Sequence, residues 1–491
     1  MTLPPRWRYG SVADLIDGID SGKNLRCEER PPASGEIGIV KISAVTWGTF
    51  DASKSKTVYS GAQLPDSTRI RAGDLLISRA NTLELVGATV LVEEAPANLH
   101  LSDKILRLRA NSGWERWLNL FLNSAQGRSE IETRATGNQL SMRNIGQDAI
   151  RSIPLPIPPV AEQRRIVARI EALFARTRRA RADLERIAPL SDRHYLASLR
   201  AGVTGQLTDA WRQARPAEDV RLTLSQIPAP EQGRGGREAT TNVTPGMAAL
   251  SVNDPGTVAP DGWAWTPLLR VARQETGHTP SRRVPSYWDG GNVPWIGIRD
   301  AGAHHGATIY DTIQKCTELG LANSSARLLP AGTVCLSRTA SVGYVTILGK
   351  LMATSQDFAT WTCTPALLPE YLKFALLAEG DDIRRFGEGS THTTIYFPEI
   401  RALHICLPPI DEQAEIVRIL TANAGAQTVA STEAARTLAL VDRLEQSILA
   451  RAFRGELVVQ EDNDSSDDRS AKDAPFSATS QKQKRASRAA A

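Results

Sequence analysis

"PPVAEQRRIV" (Pro158–Val167) and "PPIDEQAEIV" (Pro408–Val417) spell one pattern twice in a single chain, about 250 positions apart. The match keeps its register beyond that stretch without a gap: Glu162 and Gln163 fall on Glu412 and Gln413, Asp192-Arg193 on Asp442-Arg443, and Gly205 and Leu207 on Gly455 and Leu457. A repeat of this length marks a duplicated structural unit, so it decides how the chain is divided. Upstream the likeness is looser but ordered. "RWRYGSVADLIDGIDSGK" (from Arg6) parallels "GWAWTPLLRVARQETGH" (from Gly262), "GEIGIVKISAV" (from Gly35) parallels "GNVPWIGIRDA" (from Gly291), and "RAGDLLISRANT" (from Arg71) parallels "PAGTVCLSRTAS" (from Pro330). A variable block followed by a well-preserved one therefore occurs twice.

The variable blocks read as mixed α/β. "GIVKISAV", "DLLISRA", "ATVLVEEA" and "DKILRLRA" are short, β-branched and bounded by Gly, Pro or Asp, as strands are, while "WERWLNLFLNSAQGRSEIETRA" and "LPEYLKFALLAEGDDIRRFG" have helical spacing. The preserved blocks read as long helices. Ile166, Ile170, Leu173, Ala180, Leu184 and Ile187 fall on a heptad seam weakened by Thr177, and Ile416, Leu420, Ala430, Ala434, Val441, Leu444 and Ile448 keep the same register. Each seam is one-sided and needs a partner, which predicts two helices packed as an antiparallel coiled coil. Pro189 predicts a kink or restart in the first helix, and Gly425 weakens the second by roughly 1 kcal/mol relative to Ala.

With 491 residues the chain is long enough for several cores. Its 41% hydrophobic and 23% charged content is that of an ordinary globular protein, and a formal charge of +4 permits a nucleic-acid partner without demanding one. Five scattered cysteines without metal-ligand spacing, no apolar leader and no long apolar run lead to the expectation of a cytoplasmic protein with reduced thiols and no membrane partner.

The search for catalytic motifs is negative. "GIDSGKN" (Gly18 to Asn24) is one residue short of a phosphate-binding loop and has Asn24 where a magnesium-binding hydroxyl belongs. "IPP" and "LPP" put Ile157 and Leu407 where an adenine methyltransferase needs a polar residue, and His304-His305 are adjacent, so they cannot pair on one helical face around a metal. No G-x-S-x-G elbow is present. The chain reads as a recogniser with no metal or cofactor of its own.

What it recognises is suggested by polar and basic residues at matched places. Lys23 and Arg26 follow Gly22, and Ser281, Arg282 and Arg283 lie in "HTPSRRVPSYW". Lys41 and Arg299 occupy matched strand ends, Arg79 and Arg338 the shared Ser-Arg pair, with Asn81 close by. "TGNQLSMRN" carries Asn138, Gln139 and Arg143, and "GEGSTHTTIYF" carries Thr391 and His392. Arg reads guanine and Asn or Gln reads adenine in the major groove, whereas Lys and backbone amides hold phosphate. A helix from Ala161 to Ala188 spans roughly 42 Å, close to one turn of duplex DNA at about 34–36 Å.

This order of segments, with Pro-Pro-x-x-Glu-Gln-x-x-Ile-Val twice before a long helix and "ILARAFRGELV" at the end, resembles the specificity subunit of type I restriction-modification systems from about Trp7 to Val459. The resemblance implies two mixed α/β target-recognition domains related by a pseudo-twofold repeat and separated by two long helices. The corresponding boundaries are recognition domains at 1–157 and 257–407, helical spacers at 158–208 and 408–458, a flexible linker at 209–256 and a disordered tail at 459–491. It further implies a bipartite, asymmetric double-stranded DNA site and two modification subunits, joined in the restricting complex by restriction subunits. S-adenosylmethionine, ATP and magnesium would be held by those partners, which would methylate adenine at N6 and cut DNA. Glu162, Gln163, Glu412 and Gln413 are assigned to partner docking or helix-start capping, and Ile166, Ile170, Leu173, Ile416 and Leu420 to the spacer and its docking surface. The competing readings are a self-sufficient DNA-modifying enzyme and a duplicated protein-interaction scaffold.

Overall fold

The computed structural model of the protein describes residues 3–461, apart from Trp47, 60–63, Ala97, 140–141, Ala217, 234–237, Ala340 and 388–392. The expectation of a disordered tail therefore falls almost wholly outside the described residues. The chain divides into two compact units: Met1–Asp183 with Arg436–Ala491, and Leu184–Ala435.

In the first unit the strand Arg8–Ser11 pairs antiparallel with Pro154–Ile157, the strand that leads into the Pro-Pro step. The central sheet is built from Ile16–Ser21, Ile105–Ala110, Leu75–Ser78 and Thr89–Leu91, and a second four-stranded sheet contains Gly38–Val40 and Ser55–Val58. The helices Glu115–Leu122 and Ala125–Arg134 follow the central sheet. The second unit repeats the plan. Ala264–Pro267 pairs with Leu403–Leu407, Ala272–Thr276 lies in a five-stranded sheet, and Pro369–Glu379 supplies the helix. The matched pairs extend to single hydrogen bonds: Trp117 Nε1 donates to Pro156 O at 3.2 Å, and Tyr371 Oη donates to Cys406 O at 2.8 Å.

The duplicated motif opens a helix each time because proline is tolerated there and not inside it. Gln163 N donates to Pro159 O and Gln413 N to Pro409 O, so a proline carbonyl accepts an early helical hydrogen bond in both copies. Helices Val160–Glu185 and Ile187–Val203 are separated at Arg186, which places Pro189 in the first turn of the second, where a missing N–H is harmless. Ile410–Phe453 runs through Gly425 without a break.

Each unit draws its helical layer from both copies of the repeat. In the first unit Thr177 Oγ1 donates to Glu445 and Arg181 pairs with Asp442 and Glu445, so residue numbers run in opposite directions along the two helices. In the second unit Gln427 donates to Asp192 at 2.7 Å, and a Cβ on Gly202 would stand 3.0 Å from Leu420, again an antiparallel pair. The first core joins Ile166 and Ile170 to Ile448, Leu449, Ala452 and Phe453 around Trp7 and Trp117. The second joins Ile416 and Leu420 to Leu199 and Val203 around Trp263 and Trp361. The seam differs from the heptad reading in detail. Leu444 is 52% exposed, whereas Thr177 is buried because Glu445 satisfies its hydroxyl.

The helices end on glycines for a steric reason. Gly455 has φ +74° and a Cβ there would lie 2.4 Å from Pro4 and 3.3 Å from Trp7; Gly205 has φ +79° and sits against Pro260 and Trp263 in the same way. Gly455→Ala is expected to lower stability by about 2 kcal/mol in denaturant titration, from left-handed backbone strain plus overpacking. A change within ~0.5 kcal/mol, the size of an ordinary surface substitution, rejects this account.

The flexible linker expected at 209–256 is corrected. Asp209–Gln213 and Val220–Gln226 are helical, and Thr244–Pro245 and Leu250–Val252 extend the sheet beside Leu403–Leu407. Val220, Ala249, Leu250 and Val252 of this segment are buried, whereas Leu222, Val243 and Met247 stay exposed. The buried Glu379 carboxylate accepts hydrogen bonds from the backbone N–H groups of Met247, Ala248 and Leu250 and ties the segment down. A polar composition predicts a solvated segment, yet here polar side chains such as Gln232 and Asn253 hydrogen-bond to backbone carbonyls.

Candidate nucleic-acid interface

In the first unit the turn after Ile16–Ser21 approaches the backbone at Leu101 so closely that a Cβ on Gly22 would stand 1.9 Å from its carbonyl oxygen. Only glycine allows that approach, and it leaves Lys23 and Arg26 exposed, with the Arg26 guanidinium 5.7 Å from the Tyr59 ring. Lys41 precedes the short helix Ile42–Ala44 and pairs with Glu29 at 3.0 Å, and Lys56 pairs with the same carboxylate. Hydrogen bonds from Lys56 and then Lys41 hold Glu29 below the usual glutamate pKa, so it stays ionised and masks part of their charge. Asn24, Lys41, Lys56, Asn81, Ser102 and Lys104 are among the residues lining a groove of about 570 Å³.

A small sheet forms next to this groove. Thr136–Gln139 pairs with Met142–Asn144, which pairs with Ala80–Asn81, and the register sets Arg143 opposite Asn81. Four of the expected contact residues, Asn81, Asn138, Gln139 and Arg143, thus come together on one ribbon, although the side chains of Asn138 and Gln139 are outside the described set. Arg79 connects ribbon and groove through its backbone: its N–H donates to Lys104 O and its carbonyl accepts from Ile145 N, both at 2.9 Å. Its half-buried side chain has no internal hydrogen bond or ion pair among the described residues.

In the second unit the matched turn is held in the same way. A Cβ on Gly277 would stand 2.0 Å from Thr354 O, and His278 N donates to that carbonyl. The turn presents Ser281, Arg282 and Arg283, all exposed. Arg282 lies over Trp288 at 4.1 Å and donates to Gln314 at 2.8 Å. Arg299 is exposed on the helix Ile298–Ala303, whose start is fixed by the buried Asp300 accepting from Gly297 N and Ile313 N. Lys23, Arg283 and Arg299 have no internal ion pair among the described residues, so their charge is available to an anion.

Arg338 differs from Arg79 in its side chain. It keeps the backbone pattern of Arg79, with its N–H on Asp357 O and its carbonyl on Ile395 N. Its guanidinium, however, donates to Gln356 O at 3.0 Å, stacks on Phe397 at 4.4 Å and is half-buried, and burial pushes its pKa below that of an exposed arginine. It holds the unit's own strands together. Thr391 and His392 fall outside the described residues.

Of the two roles expected for the duplicated Glu-Gln pair and its seam, docking is corrected. Glu162, Gln163, Ile166, Ile170, Glu412, Gln413, Ile416 and Leu420 are all buried, and Leu173 partly so, which leaves them no face for a partner. The Glu-Gln pair is an internal clamp. Glu162 accepts from Trp7 Nε1 at 3.0 Å and Glu412 from Trp263 Nε1 at 2.8 Å. Gln163 donates to Gly113 O and Gln413 to Ala366 O, in the loops before the matched helices. Their role as helical spacer residues is compatible with this burial.

Sequence reasoning missed Lys56, Lys104 and Gln314, which pair with or support the expected residues across 15 to 32 positions of chain. Only the strand pairing Val40↔Ser55, which puts Lys41 and Lys56 beside one another, could have pointed to Lys56. Among the described residues no group of three or more His, Cys, Asp and Glu side chains could hold a metal ion, and no helix is long and apolar enough to cross a membrane.

Residues 260–429 match the family model of the type I restriction modification DNA specificity domain. The chain is 29% identical over 175 residues to the EcoEI specificity subunit of Escherichia coli, an alignment covering 35% of this chain and 30% of that subunit. It is 25% identical over 353 residues to the EcoKI specificity subunit of Escherichia coli K12, covering 69% and 65%. The aligned stretch is thus less than two thirds of either relative's length. A chain solved in work on complex assembly and conformational transition of a type I R-M system shares the fold, with a TM-score of 0.64, 21% identity and coverage of 93% of this chain and 100% of that one.

Proposed function

We propose that this chain, which carries the type I restriction modification DNA specificity domain and resembles type I specificity subunits, is the DNA sequence-recognition subunit of such a system. It recognises and does not catalyse. The observation that carries the reading is the matched pair of glycine-anchored turns, one presenting Lys23 and Arg26 and the other Arg282 and Arg283, on a scaffold that is otherwise committed to its own packing. Each unit reads one half of a bipartite duplex site, and because the two blocks differ in sequence the half-sites differ. Adenine-N6 methylation and ATP-dependent cleavage are assigned to two modification subunits and to restriction subunits in the cytoplasm, which hold S-adenosylmethionine, ATP and magnesium.

The test is binding of the full chain, in the complex it forms with its modification subunits, to a pool of randomised duplexes at several salt concentrations. Enrichment of one bipartite sequence, with affinity falling steeply as salt rises, is the expected result. A scaffold enriches no sequence, and a self-sufficient enzyme methylates or cuts without partners. A sharper expectation concerns Glu29. Glu29→Gln unmasks Lys41 and Lys56 and should strengthen binding to non-specific duplex several-fold at low salt, with the gain shrinking as salt screens the charges. Unchanged affinity at low salt removes these lysines from the interface.

A further inference from the structure

We infer that Arg282 reads a base, a guanine at its O6/N7 edge, and is not one of the phosphate contacts; this rests on the DNA-recognition reading above. Arg282 differs from the neighbouring exposed cations Arg283 and Arg299. Its guanidinium lies over two indoles, 4.1 Å from Trp288 and 5.2 Å from Trp295, and these rings meet edge to face at 90°. A flat cation packed against two perpendicular walls has its plane fixed, and the hydrogen bond to Gln314 Oε1 at 2.8 Å fixes its rotation within that plane.

The same indoles anchor the turn that bears the arginine. Trp288 Nε1 donates to Ser281 O at 3.3 Å and Trp295 Nε1 to His278 O at 3.1 Å, while Thr279 Oγ1 donates to Gln356 Oε1 at 2.6 Å. Arg282 nevertheless remains exposed. One of its five N–H donors is used by Gln314, which leaves four for a ligand.

A phosphate demands charge and tolerates a side chain that nothing holds in place; Arg283 and Arg299 are exposed and have no internal ion pair among the described residues. Discrimination between bases demands two donors held at a set spacing and angle, and guanine alone offers two acceptors side by side in the major groove. Trp288 and Trp295 are the Trp-bearing ends of "SYW" and "VPW", so the sequence itself supplies the mount only in the second unit. The base assigned to Arg282 therefore lies in the half-site read by Leu184–Ala435.

The experiment is selection from duplexes randomised at every position, using the full chain in its complex, for wild type, Arg282→Lys, Arg282→Ala and Arg283→Ala. Lysine keeps the charge but not the fork. Arg282→Lys and Arg282→Ala should both relax one guanine of one half-site by about 5- to 150-fold, leave the other half-site alone and leave the salt dependence nearly unchanged. Arg283→Ala should weaken all sequences evenly and lower the salt slope by about 1. If Arg282→Lys binds as wild type with the guanine intact, or if Arg282→Ala behaves as expected of Arg283→Ala, the inference is overturned while DNA recognition stands. If the wild-type complex enriches no sequence, the recognition reading itself fails.

Discussion

On the proposed reading, inserting four helix-forming residues after Arg176 is expected to abolish binding to the wild-type site and to create binding to one with the same two half-sites and a different unread gap. Four residues are about one helical turn and add roughly 6 Å. In the first unit the insertion falls just before Thr177 and Arg181, the residues that pair with Glu445 and Asp442, so the helix downstream of it is displaced by one turn relative to those partners. The globular sheets and their loops are untouched. Affinity for the original spacing should drop toward the non-specific level, about a thousandfold or more, and recover on a re-spaced duplex. Altered half-site sequences, or an unchanged gap, would dismiss the helices as the element that sets spacing.

The second large effect is on stability. Glu412 is 2% exposed and accepts from Trp263 Nε1 at 2.8 Å, from Thr208 Oγ1 at 2.7 Å and from Arg212. Glu412→Ala leaves the partly buried Arg212 guanidinium, an indole N–H and a hydroxyl without their acceptor, a loss of about 3–5 kcal/mol. For a unit of this size that lowers the melting temperature by about 10 °C. Glu412→Gln restores an acceptor but not the charge and should fall between. The measurement is calorimetry of the full chain. A shift of one or two degrees for Glu412→Ala would falsify the clamp as a major contributor.

Much of the fold could be read from the chain because duplication repeats its own signals. The Pro-Pro step, the helix after it and the restart near Pro189 were each stated twice or carried a backbone constraint. The direction in which Glu162 and Glu412 face could not be read. A carboxylate in the first turn of a helix looks like a cap or a surface charge, and the indoles that claim these two lie far upstream, at Trp7 and Trp263. Composition misled at 209–256, where a few buried apolar residues and the Glu379 carboxylate outweigh a polar average. In the candidate interface the exposed turn of Lys23 and Arg26 was legible because Gly22 precedes it. The internal contacts of Arg338 were not legible, because its repeat partner Arg79 lacks them and Phe397 and Gln356 are not its neighbours in sequence.

Gly455 packs on Pro4 and Trp7, and the first core is completed by Ile448, Leu449, Ala452 and Phe453. During synthesis the amino-terminal unit must therefore wait, half built, until the far end of the polypeptide leaves the ribosome. At ~5–20 residues per second that delay is on the order of tens of seconds, during which an apolar cleft stays open to chaperones or to a second nascent chain. A stop codon anywhere before Arg436 strands it in that condition permanently.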